Sequence, residues 1–150
     1  MEALVQTAQK PLKAAYKATP DLALVTDHTR TGGQEPADPF HLQVEPMDGC
    51  GIVVPVGTHA ALGDLLCAAL AACQDSAFRM VANSFGIELT RLEVRVTATV
   101  DVRGSMAMDP AVPVGFQGMT CHIDYAVAGD ASPEQLHRLQ FAATRCCIVK

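Results

Sequence analysis

The segment from Gly63 to Gly86, GDLLCAALAACQDSAFRMVANSFG, constrains this chain more than any other. It holds no proline, is rich in Ala, Leu and Met, and ends on a glycine suited to a left-handed helix cap. The pattern predicts a helix from about Asp64 to Phe85. At about 1.5 Å per residue such a helix is on the order of 30 Å long, the width of a small domain. Its first half is apolar nearly all round, which demands cover on every side. A chain of 150 residues makes one domain, and a domain of that size rarely hides such a helix alone. Burial against a second copy of the chain is the simpler expectation. The uninterrupted apolar run, Leu65 to Cys73, is shorter than the roughly 20 residues a bilayer span requires, so no membrane partner is expected.

The flanking periodicities supply the other elements. Residues 2–17 place Leu4, Val5, Ala8, Leu12, Ala15 and Tyr16 at helical spacing among Lys10, Lys13 and Lys17, which predicts one or two short helices broken near Pro11. Asp21 to Thr31, Phe40 to Val44 and Gly51 to Val56 each read as strands of an antiparallel meander, with turns at Thr31-Gly32-Gly33 and Pro46-Met47-Asp48-Gly49. Beyond the long helix, Leu92, Val94, Val96, Ala98, Val100 and Val102 alternate strictly with polar residues, the signature of a half-buried strand. Gly104 to Pro113 reads as a loop and Phe116 to Val127 as a further strand. Ser132-Pro133-Glu134-Gln135 then supplies an N-cap, a first-turn proline and a capping-box glutamine, starting a helix that runs to about Arg145. Strands, helix, strands and helix in that order make an α+β fold.

Charge excludes one class of partner. With Lys+Arg 11 against Asp+Glu 16, and no basic cluster, the chain lacks the electrostatic footprint of a nucleic-acid binder. Charged residues reach only 18%, below the roughly 25% usual for soluble domains, and the apolar surplus favours an oligomer.

The cysteines carry the remaining signal. Cys50, Cys67, Cys73, Cys121, Cys146 and Cys147 show no Cys-x-x-Cys spacing, and the N-terminal residues do not read as a secretory leader, so none is expected. A domain of this size needs no disulfide staple, so an oxidised secreted scaffold is not expected and the cytoplasm is the expected compartment. Cys73 sits mid-way along the long helix, on a stripe with Leu66, Ala69, Leu70, Ala77 and Met80. A thiol there can be a small buried hydrophobe or the centre of an apolar site. Cys67, six residues earlier, is about 240° away around the helix and cannot share that face. Cys146 and Cys147 are adjacent, and neighbours in sequence pair with each other only under strain. Cys121-His122 lies in a strand, where the two point to opposite faces and cannot ligate one metal together. No metal site is expected.

The run LLCAALAACQDSAFRMVANSFGIELTRLEVRVTATVDV resembles the central helix and following strand of the OsmC and organic hydroperoxide resistance proteins. The likeness continues through the Ser132-Pro133-Glu134-Gln135-Leu136 helix start to Cys147-Ile148-Val149 and spans most of the chain from about Leu22. What it implies is a single domain over residues 1–150, with residues 1–18 as an appendage and the family's final strand absent. It implies a swapped homodimer with long central helices packed between antiparallel sheets, and active sites at the subunit interface. It further implies a peroxidatic Cys73, a resolving Cys147, organic hydroperoxides as substrates and an external dithiol such as a lipoyl group as reductant, with no bound cofactor.

In the organic hydroperoxide resistance branch, the family pattern places an arginine directly after Thr-Gly-Gly and a glutamate ten residues before the helix cysteine. Here those places hold Gln34 and Gly63. The OsmC branch takes its arginine from the next strand, which here offers only His41. Arg30 or Arg79 could stand in for the arginine, Asp64 for the glutamate, and Cys146 could compete with Cys147 as resolver. Two other readings stay open: a non-catalytic module that binds a hydrophobic ligand at the dimer interface, and a thiol redox sensor.

Overall fold

The computed structural model describes residues 4–31, 41–46, 50–57 and 62–149, with no account of the side chains of residues 30, 41, 42, 56, 57 and 62. It forms two compact units, one of residues 8–65 and the other of residues 66–150 together with residues 1–7. Mixed helices and antiparallel sheets make the architecture α+β.

Helix α1 (Leu4–Ala18) runs unbroken through Pro11, where the sequence suggests an interruption. A proline removes one i→i−4 bond, and the turns on either side of Pro11 persist without it. In the unit of residues 8–65, the expected strand over Asp21–Thr31 is largely replaced. Pro20–Ala23 forms a 3-10 turn, with Pro20 in its first turn, and of that segment Arg30–Thr31 alone pairs as a strand, β1. Turn chemistry at Thr19-Pro20-Asp21 thus prevails over a weak alternation. Strands β2 (His41–Glu45) and β3 (Val54–Gly57) complete an antiparallel β1-β2-β3 meander, as the sequence suggests.

Helix α2 (Leu62–Ser84) is the long helix the sequence demands, and it stops where Gly86 takes φ +68°, a conformation that glycine adopts without strain. Its final turn is tied to the start of α1. Asn83 Oδ1 accepts from the Val5 N–H at 3.0 Å, and the Ser84 carbonyl, open at the helix end, accepts from Gln6 Nε2 at 2.7 Å. By length and composition the segment Gly63–Ser84 is also apolar enough to cross a bilayer, a test that core helices of soluble proteins pass as well.

Strands β4 (Leu89–Val100) and β5 (Phe116–Val127) pair antiparallel over their full length, Val94 opposite Ile123 and Val96 opposite Cys121. Between them Asp101 caps a single helical turn, α3 (Val102–Ser105), by accepting from the Arg103 N–H, in what reads from the sequence as strand end and loop. Ser132 opens α4 (Pro133–Cys146) with the expected reciprocal capping box: its hydroxyl accepts from the Gln135 N–H, and the Gln135 side chain accepts from the Ser132 N–H.

The core lies where α2 and α4 meet the end of the hairpin made by the start of β4 and the finish of β5, away from its α3 connection. Phe78, Val81 and Ala82 of α2 pack with Leu139 and Ala143 of α4, and Leu92, Ile123 and Tyr125 of the sheet close over them. The rings of Phe78 and Tyr125 stand 4.8 Å apart, tilted by 52°, an arrangement that adds favourable ring–ring attraction to the area buried. This core covers only the second half of α2 and of β5. Leu66 in the first half of α2 stays 48% exposed, and Phe116 and Met119 at the start of β5 are also exposed.

Candidate functional site: the Cys73–Cys147 thiol pair

Helix periodicity sets up the site. On α4, Leu139, Ala143 and Cys147 follow one another at steps of four and form one buried stripe, Cys147 at 8% exposure. The same stripe therefore builds the core and delivers a thiol to its edge. On α2, Cys73 flanks the core-facing row of Leu70, Gln74, Ala77 and Phe78, all of which are buried while Cys73 is half-buried. The two sulfurs meet at 3.3 Å, with the Cys147 thiol donating toward Cys73 Sγ.

The chain reverses its character at this point. Cys147 caps α4 in extended geometry, φ −78° and ψ 116°, so the helix ends at Cys146 and the following backbone turns toward α2. Burial pushes the Cys73 thiol up, but hydrogen bonds from the Val149 backbone, the Cys147 side chain and the Ile148 backbone together outweigh it and hold the Cys73 pKa below its ordinary value. None of these groups is charged. A lowered pKa raises the thiolate fraction near neutrality, and the thiolate is the nucleophile.

The other sequence candidates fall elsewhere. Cys146 is the last residue of α4 and is exposed, so the adjacent cysteines face different surroundings. Arg79 is held by Asp75, with Nε 2.6 Å from Asp75 Oδ1 in an i,i+4 pair on the exposed side of α2. Asp75 raises the Arg79 pKa further through that hydrogen bond. Asp64 occupies the first turn of α2. Arg30 lies on β1, its side chain outside the described residues, as is Gln34. Cys67 is half-buried on α2, and Cys121 is exposed on β5 opposite Val96. Cys50 Sγ contacts its own turn, accepting from the Ile52 N–H at 3.4 Å.

Two features of the site escape sequence reasoning. The amides of Ile148 and Val149 carry no residue-type signature at all. Gln74, only 3% exposed and with no acceptor for Nε2 among the described residues, was visible as a polar residue on an otherwise apolar i, i+4 row. Apart from the thiol pair, a cleft of about 440 Å³ opens between the apolar Leu4, Val5, Met80, Ile87 and Leu89, with Arg79, Asn83 and Glu88 also on its wall, and neither Cys73 nor Cys147 lines it.

The sequence matches the family described as OsmC-like protein over residues 63–150, more than half of the chain and the whole of α2, the β4–β5 hairpin and α4 but for the first residue of α2. The chain belongs to the OsmC-like family. Solved structures share its fold. An OsmC-like protein from Mycoplasma pneumoniae superposes with a TM-score of 0.63 at 14% identity, covering 83% of this chain and 84% of that one. An OsmC-like protein of unknown function from Vibrio cholerae gives 0.64 at 11% identity, covering 84% and 92%. An organic hydroperoxide resistance protein from Elizabethkingia anophelis gives 0.55 at 18% identity, covering 83% and 85%. Among curated proteins, none matches this sequence. At these identities the solved structures of OsmC-like proteins speak for the fold alone, so the chemistry of this member has to be read from its own thiol pair.

Proposed function

We propose that this OsmC-like protein is a thiol-dependent peroxidase that reduces organic hydroperoxides, with Cys73 as the peroxidatic and Cys147 as the resolving cysteine. The observation that carries the reading is the 3.3 Å Sγ–Sγ contact between a thiol with a lowered pKa and a buried second thiol. The likeness in fold to an organic hydroperoxide resistance protein supports the substrate class.

The chemistry balances as follows. The Cys73 thiolate attacks the terminal oxygen of ROOH, the O–O bond breaks, and the alkoxide leaves to take up a proton as ROH. Cys73 is now a sulfenic acid. The Cys147 thiolate attacks that sulfur, expels hydroxide, which leaves as water once protonated, and forms the Cys73–Cys147 disulfide. Bond formation requires the sulfurs to close from 3.3 Å to a disulfide's about 2.05 Å, a movement within reach of side-chain rotation. An external dithiol, a lipoyl group being the kind expected, then reduces the disulfide by exchange and is itself oxidised.

The uncovered apolar residues Leu66, Val100, Phe116 and Met119 support a homodimer in which a second copy covers the first half of α2 and the end of the hairpin next to α3. The reading places the protein in the cytoplasm, where thiols are kept reduced between turnovers.

The test is steady-state turnover of cumene hydroperoxide with dihydrolipoamide, followed by mass mapping of the oxidised protein. A Cys73–Cys147 link and turnover well above the free dithiol support the reading. Turnover no faster than the dithiol alone removes it and favours a binding role for the same fold.

A further inference from the structure

We propose that the reduced Cys73 and Cys147 thiols form a chelating site for monosubstituted trivalent arsenicals, both sulfurs closing on one arsenic atom whose organic group points out past Cys73. The proposal shares its two residues with the peroxidase reading, and its chemistry needs no peroxide.

Three observations converge on it. The first is separation. The two sulfurs lie 3.3 Å apart and are not joined by a disulfide. Bonds of about 2.3 Å, the length of a zinc–thiolate bond, drawn from one centre to both sulfurs at 3.3 Å enclose an angle of about 90°. That angle suits a pyramidal trivalent centre, whose lone pair compresses its bonds toward a right angle. It is tighter than the tetrahedral arrangement that zinc adopts.

The second is donor number. Among the described residues, no group of three or more His, Cys, Asp and Glu side chains comes together to hold a metal ion. An ion that takes four protein ligands is poorly served by two. A monosubstituted arsenical carries its own third substituent and asks the protein for two soft sulfur donors, which is what the pair offers.

The third is access combined with fixed position. Cys147 is buried and continues the packed stripe of Leu139 and Ala143, while Cys73 is half-buried and leaves the pair open on its own side. Two donors already held together by a core lose little freedom when they close on one centre. Cys146, the neighbour of Cys147 in sequence, is exposed at the end of α4 and faces different surroundings.

The exchange balances without a redox step. Both sulfurs form bonds to arsenic, the arsenic–oxygen double bond of R–As=O breaks, and the two thiol protons leave with that oxygen as one water. Arsenic stays trivalent and no sulfur is oxidised. A pair closed in this way cannot meet a hydroperoxide, and a small dithiol can strip the arsenic by offering the same two-sulfur grip.

The probe is one equivalent of phenylarsine oxide added to the full reduced chain. Intact mass should rise by one phenylarsenic group, and iodoacetamide should then find two fewer reactive thiols, which peptide mapping should assign to Cys73 and Cys147. The adduct should survive a large excess of mercaptoethanol and be removed by dimercaptopropanol. Cys73→Ser and Cys147→Ser should each hold the arsenical on the order of a hundredfold more weakly, because one sulfur gives only a single-point attachment. Cys146→Ser should match the parent. Protection mapped to Cys146 and Cys147, an adduct retained undiminished in Cys73→Ser, or a parent adduct that mercaptoethanol strips would overturn the proposal. Capture without peroxidase turnover leaves the chelating site standing and removes the enzyme reading, whereas turnover without capture does the reverse.

Discussion

The sulfurs of Cys73 and Cys147 touch at 3.3 Å across 74 positions of sequence, and the contact continues the core rather than standing apart from it. Leu139 and Ala143, the two preceding members of the Cys147 stripe, are fully buried against Phe78 and Ala82 of α2. Whatever fixes α4 on α2 therefore also fixes one thiol beside the other. Proximity of this kind is what converts a collision between two groups into a local step.

The two thiols should fail differently. Cys73→Ser is expected to reduce hydroperoxide turnover to that of the free dithiol, since a serine hydroxyl is not ionised near neutrality. Cys147→Ser should retain the first reaction with peroxide but not the disulfide, so Cys73 accumulates as sulfinic and sulfonic acid under excess hydroperoxide. Intact-mass measurement before and after one equivalent of cumene hydroperoxide distinguishes them. If Cys73 in the Cys147→Ser protein stays a thiol, Cys73 is not the residue that meets the peroxide.

Weakening the core should weaken the chemistry. Leu139 is completely buried, and Leu139→Ala removes its packing at a cost of about 2–5 kcal/mol. Its loss also loosens the helix that carries Cys147. Chemical denaturation should show the lower stability, and disulfide formation after a peroxide pulse should slow in a variant whose cysteines are all present. Unchanged disulfide formation in a clearly destabilised variant would mean that the thiol pair is held independently of the α4 stripe.

The parts of this arrangement that were legible in the sequence are those written in side-chain periodicity. The proline-free apolar run gave α2, the strict Leu92-to-Val100 alternation gave most of β4, and Ser132-Pro133-Glu134-Gln135 gave the start of α4. Cys73 and Cys147 were singled out through a family resemblance, and their closeness needed a three-dimensional structure. The expected strand at Asp21–Thr31 failed because a proline-led turn decided the local backbone. The backbone influence of Ile148 and Val149 on the Cys73 thiol was invisible for a different reason: every residue but proline has an N–H, so a main-chain effect leaves no pattern in residue types.

The cap of α4 gives a control for these experiments. Ser132→Ala removes a hydroxyl that accepts from the Gln135 N–H and breaks the reciprocal box. The expected loss is about 0.5–2 kcal/mol of stability. The opposite end of α4 holds Cys147, so turnover at a temperature where the variant is fully folded should match the parent. A fall in turnover without a fall in the folded fraction would show that the whole of α4, and not its last two turns, positions the resolving thiol.

The lowered Cys73 pKa makes a prediction about stability as well as reactivity. Folding favours the thiolate, so the unfolded chain binds more protons at this site over the window between the folded and unfolded pKa values. Stability from this group is therefore fully present above the unfolded thiol's pKa of about 8.5 and is lost as pH falls through the folded value. The melting temperature of the reduced parent minus that of Cys73→Ser should rise with pH across that window. A difference that stays flat, or that falls as pH rises, contradicts a thiolate held by the fold.

Gln74 supplies the last prediction, and it reads out what covers α2. Its side chain is almost wholly buried in one chain, and its Nε2 has no acceptor among the described residues. An unpaired buried donor costs about 1–3 kcal/mol, and an unbranched apolar side chain of similar length would not incur that cost. Gln74→Met should accordingly raise stability by on the order of 1 kcal/mol if the amide remains unpaired in the assembled protein. A loss of the same size would show instead that the amide finds an acceptor once α2 is covered. Denaturation followed at several protein concentrations separates the two, because an acceptor supplied by a second copy makes the penalty of Gln74→Met grow with association.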